Sequence, residues 1–250
     1  MISIVMCTTD PQKSEPATAM YRRLLEGDAF EIIAVSDATG LAEGYNRALT
    51  CVHGETVLFV HDDVEFLASD FRSTLLGHLE HCDVLGVQGT TRLRDGQLTG
   101  AGPPYSYGQV AVPNPSYPNC FDVQFWSVPS RRVDQIQALD GLLICAKRNV
   151  AEHIRFDPAT FTGFHLYDLD FTFRAHLAGY RIAVATDLYP IHNSHGTKDR
   201  KWEEDKQRFE RKFASQLFPR PHRPFKTCAM AVMSKAEIIE VMTPLHWQTG

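Results

Sequence analysis

Apolar positions in the first ninety residues fall into two alternating patterns, short uninterrupted runs and longer stretches of helical spacing. Ile2 to Cys7, Phe30 to Val35, Thr56 to Val60 and Val84 to Val87 are the runs, and they predict strands. Ala17 to Leu25, Leu41 to Cys51 and about Ser69 to His81 carry the helical spacing. A strand that is apolar at every position, rather than at alternate ones, needs cover on both faces, as in a parallel sheet whose crossovers are helices. The pattern therefore predicts an α/β domain with a central, mostly parallel sheet flanked by helices. In open sheets of this kind a ligand binds beyond the carboxyl ends of the strands. Thr8-Thr9-Asp10, Ser36-Asp37 and His61-Asp62-Asp63 all stand there.

The pattern changes from Thr91 to Pro129, which is rich in Gly, Pro, Tyr and Asn and predicts a long excursion or hairpin region rather than a second domain. Its aromatic residues, from Tyr105 to Trp126, suit a platform on which a ligand ring stacks, core packing or a contact between copies of the chain. Leu142 to Cys145 and Ile182 to Ala185 predict further core strands, Tyr167 to Ala178 a helix ended by Gly179, and Trp202 to Phe213 a charged surface helix. Ser234-Lys235-Ala236-Glu237 is a capping-box pattern opening a short helix through Val241. The expected organisation is one domain over residues 1–217, with halves at about 1–90 and 91–217, followed by a tail over 218–250.

With 44% hydrophobic residues among 250, the chain has enough apolar surface for one large core. A formal net charge of -5 leaves no overall basic field, so nucleic acid is excluded as the expected partner. Arg22-Arg23, Arg131-Arg132 and Lys198 to Lys201 read as solvated faces. The start of the chain lacks a charged leader and no apolar run reaches the ~20 residues of a membrane span, so the expected location is the cytoplasm. The six cysteines form no CxxC pair and read as buried thiols.

Three clusters offer chemistry. His61-Asp62-Asp63 suits a hard cation that bridges two phosphates, or equally a helix cap or turn. Asp168 and Asp170 open the Tyr167 helix, where carboxylates also complement the helix dipole. His192 and His195 lie in a loop after a strand and a proline. His78, His81 and Cys82 lack a fourth ligand for zinc and read as surface residues. There is no GxSxG elbow, no GxxxxGK[ST] phosphate loop and no GxGxxG after the first strand.

Taken in order from Ile2 to about Gly196, these pieces resemble the family-two-like glycosyltransferases of the GT-A fold. The parts are the Ile4-Val5-Met6-Cys7-Thr8 strand, Val35-Ser36-Asp37 with Gly44-Tyr45-Asn46-Arg47-Ala48, His61-Asp62-Asp63, Leu139-Asp140-Gly141-Leu142-Leu143, Tyr167-Asp168-Leu169-Asp170 through Ala178-Gly179-Tyr180, and His192. The resemblance implies a nucleotide-diphosphate sugar donor such as a UDP-sugar, a hydroxyl-bearing acceptor and a divalent metal. It implies that residues 1–90 hold the donor and 91–217 the acceptor and catalytic groups. Thr8, Asp37, Asn46 and Asp62 would line the nucleotide-sugar pocket, with Asp63 as the leading metal ligand and His61, His192 or His195 beside it. Asp168 would be the general base, with Asp140, Gly141 and Asp170 on the acceptor side. His61 stands where the family's motif begins with Asp, and Tyr167 where an acidic residue often precedes the base. An imidazole ligand suits Mn²⁺ better than Mg²⁺, which prefers all-oxygen octahedra.

The expected reaction is an inverting displacement in which Asp168 takes the acceptor hydroxyl's proton. Two other functions fit parts of the sequence. One is a nucleotide-sugar binding module without catalysis, suggested by the changes at His61 and Tyr167. The other is a nucleotidyltransferase, which would need a Gly-rich basic loop where Thr8-Thr9-Asp10-Pro11 stands.

Overall fold

The computed structural model describes residues 1–194, 196, 198–219 and 228–243. In chain order the elements begin with β1 (Ile2–Cys7), α1 (Pro11–Leu24), β2 (Phe30–Val35), α2 (Leu41–Ala48), β3 (Thr56–Val60), β4 (Val64–Phe66) and α3 (Phe71–Leu79). They continue with β5 (Val84–Gly86), β6 (Gln88–Thr90), β7 (Ser106–Pro113), β8 (Phe121–Phe125), β9 (Arg132–Val133), β10 (Ala138–Leu139), β11 (Leu143–Lys147) and α4 (Arg148–Ile154). The last are α5 (Tyr167–Leu177), β12 (Ile182–Ala185), β13 (Pro190–His192), α6 (Arg200–Lys212), β14 (Cys228–Val232) and α7 (Lys235–Met242).

The central sheet has the order β2-β1-β3-β11-β5-β12-β9. β2, β1, β3, β5 and β12 run one way, while β11 and β9 run against them. The continuous apolar runs have the cause expected of them, because both faces of the sheet are covered. Side chains of successive strand residues point to opposite faces. In β3, Val57 and Phe59 join the core under α2, α4, α5 and α6, whereas Leu58 and Val60 join the core under α1 and α3.

Several boundaries differ from those predicted. α1 starts at Pro11 instead of Ala17, because Asp10 caps it by accepting from Gln12 N at 2.9 Å and proline is favoured at the first helical position. α2 and α3 are shorter than their apolar spacing, ending at Ala48 and Leu79. The run from Val84 splits at Val87, so that β5 stays in the central sheet and β6 enters a second one.

That second sheet has the order β10-β6-β7-β13-β4, with β8 added to β7 and β14 to β8. The β7–β8 hairpin is the excursion predicted between residues 91 and 129. Its aromatic residues mostly pack: Tyr107 against the core beneath α5, Phe121 and Phe125 against the cluster around Ile238 and Met242, and Tyr105 against Phe218. Half of the capping box forms as read, with Ser234 Oγ accepting from Glu237 N at 3.2 Å, while Glu237 Oε2 accepts instead from Met233 N, one residue before the cap, at 3.0 Å. Residues 228–243 thus build a strand and a helix onto the second sheet, with Ile238 and Met242 fully buried.

The cysteines do not all meet the expectation of burial. Cys82 and Cys145 are buried and Cys7 and Cys120 partly so, but Cys51, in the turn after α2, and Cys228, on the edge strand β14, are exposed. His78 is not a surface residue either: its Nε2 lies 2.8 Å from Asp187 Oδ1, with both side chains 12% exposed.

Candidate functional site

One large cavity, about 660 Å³, opens where the carboxyl ends of β1 and β3 meet the second sheet and the start of α5. Thr8, Thr9, Asp10 and Lys13 line it from the β1–α1 turn, His61, Asp62 and Asp63 from the end of β3, and Asp140 and Leu142 from the β10–β11 turn. Tyr167 and Asp168 reach it from α5, and His192 and Ser194 from the end of β13.

The short ladder between β4 and β13 creates the metal-like cluster. Its register sets His192 opposite Val64, and Asn193 N donates to Asp63 O at 2.9 Å. The His192 imidazole therefore comes within 3.4 Å of Asp63 Oδ1, and the His61 and His192 rings are 5.7 Å apart. His61, Asp63 and His192 each offer one donor atom, and these atoms lie within 4.8 Å of one another, the only such group among the described residues. Burial pushes the Asp63 carboxyl up, but the hydrogen bond and charge of His192, the His61 ring and Ser194 together hold it below the usual carboxylate range. Burial and the neighbouring His192 lower His61 and keep it neutral with a lone pair to offer. Two imidazoles and one carboxylate are a donor set that fits Mn²⁺, Zn²⁺ or Fe²⁺ better than Mg²⁺. His195 lies outside the described residues.

Across the cavity, Asp168 is held by the turn into α5. Leu166 caps this helix with a left-handed backbone, φ 58°, which non-glycine residues adopt uncommonly. Gly141 N donates to Asp168 Oδ2 at 2.9 Å, and Thr172 Oγ1 joins α5 to β10 by donating to Asp168 O at 2.7 Å and accepting from Leu139 N at 3.0 Å. Burial first, and then the charge of Asp140, raise the Asp168 carboxyl from 3.8 to about 7, although backbone N–H donors oppose the rise. A carboxyl that titrates near neutrality can accept a proton and release it again at working pH. Asp140 itself accepts from Leu142 N at 3.0 Å.

Thr8, His61, Asp62, Asp63, Asp140, Asp168 and His192 thus share one cavity, while the other expected site residues are placed elsewhere. Asp37 is turned outward, 78% exposed, and paired with Arg47 at 2.7 Å. The Asn46 side chain is spent on the backbone, donating to Phe156 O and accepting from Phe156 N, both at 2.9 Å, which ties α2 to the segment after α4. Asp170 is fully buried behind the site between Arg174 at 2.8 Å and Lys212 at 2.5 Å, and binds α5 to α6. Gly141 contributes its N–H and its lack of a side chain, since a Cβ there would run into the Tyr167 hydroxyl.

Cavity residues that sequence reasoning missed lie at the rim. Phe164, His165, Trp202 and Lys198 form one side, with Lys198 Nζ 5.1 Å from the Trp202 ring and His165 Nε2 3.5 Å from Asp199. Lys198, taken for part of a solvated basic face, therefore faces the cavity. Trp126 and Gln124 also line it, and Trp126 is the one aromatic residue of the Tyr105–Trp126 stretch among the cavity's lining. No spacing signal marks these residues, because the loop before α5, the start of α6 and the end of β8 come together only in the fold.

The fold has solved counterparts. The mannosyltransferase PcManGT from Pyrobaculum calidifontis, in complex with GDP-Man and Mn²⁺, superposes with a TM-score of 0.53 at 12% identity, over 87% of this chain and 65% of that one. Residues 1–349 of S. aureus TarS in complex with UDP give a TM-score of 0.48 at 16% identity, over 86% of this chain and 65% of that one. This chain therefore spans slightly less than two thirds of the length of either. Among curated protein sequences, none matches. The first likeness establishes a GT-A fold, and the strand-end acidic cluster and the α5 carboxylate both fall within residues 3–214, the segment that matches a family by sequence: the chain belongs to the glycosyltransferase-like family.

Proposed function

We propose that this protein transfers a sugar from a nucleotide-diphosphate sugar to an acceptor hydroxyl with inversion at the anomeric carbon. The observation that carries the reading is the meeting, in one cavity, of a carboxyl raised to about 7 with the His61–Asp63–His192 cluster. Asp63, His61 and His192 would hold a divalent ion, Mn²⁺ in preference to Mg²⁺, which when bound neutralises the charge that develops on a diphosphate leaving group. The enzyme of the same fold from Pyrobaculum was solved with a ligand pair of this class, GDP-Man and Mn²⁺.

The chain's own residues do the rest. Thr8 and Asp62 line the donor end, and Lys13 lines the same cavity. The acceptor hydroxyl approaches Asp168, which removes its proton as the oxygen attacks the anomeric carbon, and the Gly141 N–H keeps Asp168 Oδ2 oriented for this. Phe164, Trp202 and Trp126 at the rim supply apolar faces on which a sugar ring stacks. A binding module without catalysis has no use for a carboxyl kept at about 7, because holding it there costs folding stability. No described helix is long and apolar enough to cross a membrane.

Thermal unfolding in the presence of a panel of nucleotide sugars, with and without Mn²⁺, tests the proposal. A donor at about 100 times its Kd adds roughly 2.7 kcal/mol of stability. The expected result is a melting shift that needs both nucleotide sugar and Mn²⁺, and release of free nucleoside diphosphate once an acceptor is supplied. Release of pyrophosphate instead, or no shift with any donor, refutes it.

A further inference from the structure

On a chain whose formal net charge is -5, the cavity rim beside Asp168 gathers positive charge. Lys198 lines the cavity there together with His165, which precedes Asp168 by three residues. Lys201, the second residue of α6, lies across the loop that leads into α5: a Cβ on Gly163 would stand only 2.6 Å from its Nζ. That loop is pinned from its other side, since Leu41 N donates to Gly163 O at 3.0 Å and a Cβ on Gly40 would meet Thr162 O at 2.5 Å.

Neither ammonium is neutralised locally. Arg200, Lys206, Arg208 and Lys212 of α6 each meet a carboxylate, whereas among the described residues no carboxylate forms an ion pair with Lys198 or Lys201. Asp199, between them, is spent elsewhere: its Oδ1 accepts from Trp202 N at 2.8 Å as the cap of α6 and stands 3.5 Å from His165 Nε2. Lys198 Nζ rests 5.1 Å from the centre of the Trp202 ring, a contact that holds the ammonium in place without consuming its three N–H donors. Beside it Phe164 keeps a large aromatic face 59% exposed at the cavity rim.

We infer that the acceptor carries an anionic group, a carboxylate or a phosphate, which Lys198 and Lys201 bind while its ring stacks on Phe164 or Trp202. This deepens the proposed function and rests on its placement of the acceptor beside Asp168. Asp62, Asp63, Asp140 and Asp168 line the same cavity and repel an anion, so the two lysines also offset what would otherwise keep such an acceptor from the base. The donor's diphosphate, the other anion of the reaction, would face the His61–Asp63–His192 cluster, which β3 and β13 carry instead.

Tryptophan fluorescence of the protein in chelator, which removes any anion held through a metal, can follow the binding of three probes built on one ring: glucose, glucuronate and glucose 6-phosphate. Trp202→Phe identifies the part of the signal that comes from this wall. At low salt glucuronate or glucose 6-phosphate should bind at least about tenfold more tightly than glucose, the least expected of a hydrogen bond to a charged group. The double variant Lys198→Met, Lys201→Met should lose that preference, as should the wild type in high salt, and Lys198→Met alone should already weaken it. Both lysines are exposed, and circular dichroism checks that the variants are folded. Equal affinity for the three sugars, or none for any, overturns the inference, and so does a folded double variant that keeps the preference. Calorimetry with UDP and Mn²⁺ separates the two anions: a double variant that binds UDP more weakly but the charged sugar as before would assign the lysines to the diphosphate and overturn the acceptor role. Failure of the wild type to bind UDP or any nucleotide sugar counts against the donor reading under the proposed function, while the sugar comparison still decides whether the rim selects an anion.

Discussion

Replacing Asp168 by Asn removes a titrating proton while keeping the shape of the side chain and an oxygen for the Gly141 N–H, now 2.9 Å from Asp168 Oδ2. Burial and Asp140 raise this carboxyl from 3.8 to about 7, so it ionises less readily in the fold than in the unfolded chain. Between those two values the native state holds a proton that the unfolded state has lost. Stability therefore falls as pH rises across this window and levels off above about 7. At about 1.36 kcal/mol for each tenfold change in proton affinity, the ionised carboxylate costs the fold up to roughly 4 kcal/mol at pH 8. Asp168→Asn should recover much of this at pH 8 and little near pH 4, while turnover falls by about 10²–10⁴-fold. Urea unfolding at both pH values, in chelator, measures the first effect, and nucleoside diphosphate release the second. The wild-type kcat/KM should also climb to a plateau above about 7, and Asp140→Asn should move that climb to lower pH by removing the neighbouring charge. A variant that keeps most of its activity, or whose stability gain is the same at both pH values, refutes the assignment of Asp168 as a base.

Asp63→Ala should abolish the Mn²⁺ dependence of donor binding in calorimetry; equal affinity in wild type and variant, with and without Mn²⁺, contradicts its role as a ligand. Gly141→Ala should lower both Tm and turnover, because the new methyl would run into the Tyr167 hydroxyl and sit 3.2 Å from Asp168 Cβ, at an overpacking cost of about 1–3 kcal/mol. Wild-type behaviour of that variant would show that the β10–β11 turn yields without moving the base. Lys212→Met leaves the buried Asp170 with Arg174 alone and removes the 2.7 Å contact to Asp157, so denaturant unfolding should show a loss of roughly 3 kcal/mol with turnover preserved below the melting transition. A turnover loss with unchanged stability would instead place Asp170 in the reaction.

Much of the central sheet was legible because its signal is local. Ile2 to Cys7 and Thr56 to Val60 are apolar at almost every position, and only burial on both faces makes that pattern favourable. The polar residues that follow such strands must then lie at the sheet's carboxyl edge, which is why Thr8, Asp62 and Asp63 were found without coordinates. Asp168 was singled out only through the resemblance, because its place at the head of a helix suits a carboxylate that complements the helix dipole equally well, and its elevated proton affinity was not legible at all, since that comes from burial by distant segments and from Asp140.

The second sheet was hidden for a physical reason. β4, β10 and β13 are two or three residues long, too short for any periodicity, and they exist because they pair with partners far away in the chain. The sequence by itself determined the sheet, its helices and which strand ends carry acids. Only the tertiary structure decided that the β4–β13 ladder brings His192 to Asp63, that Asp37, Asn46 and Asp170 are engaged elsewhere, and that Lys198 and Trp202 face the cavity. Local pattern fixes what a segment buries, whereas the geometry of a site depends on long-range pairing that no single segment encodes.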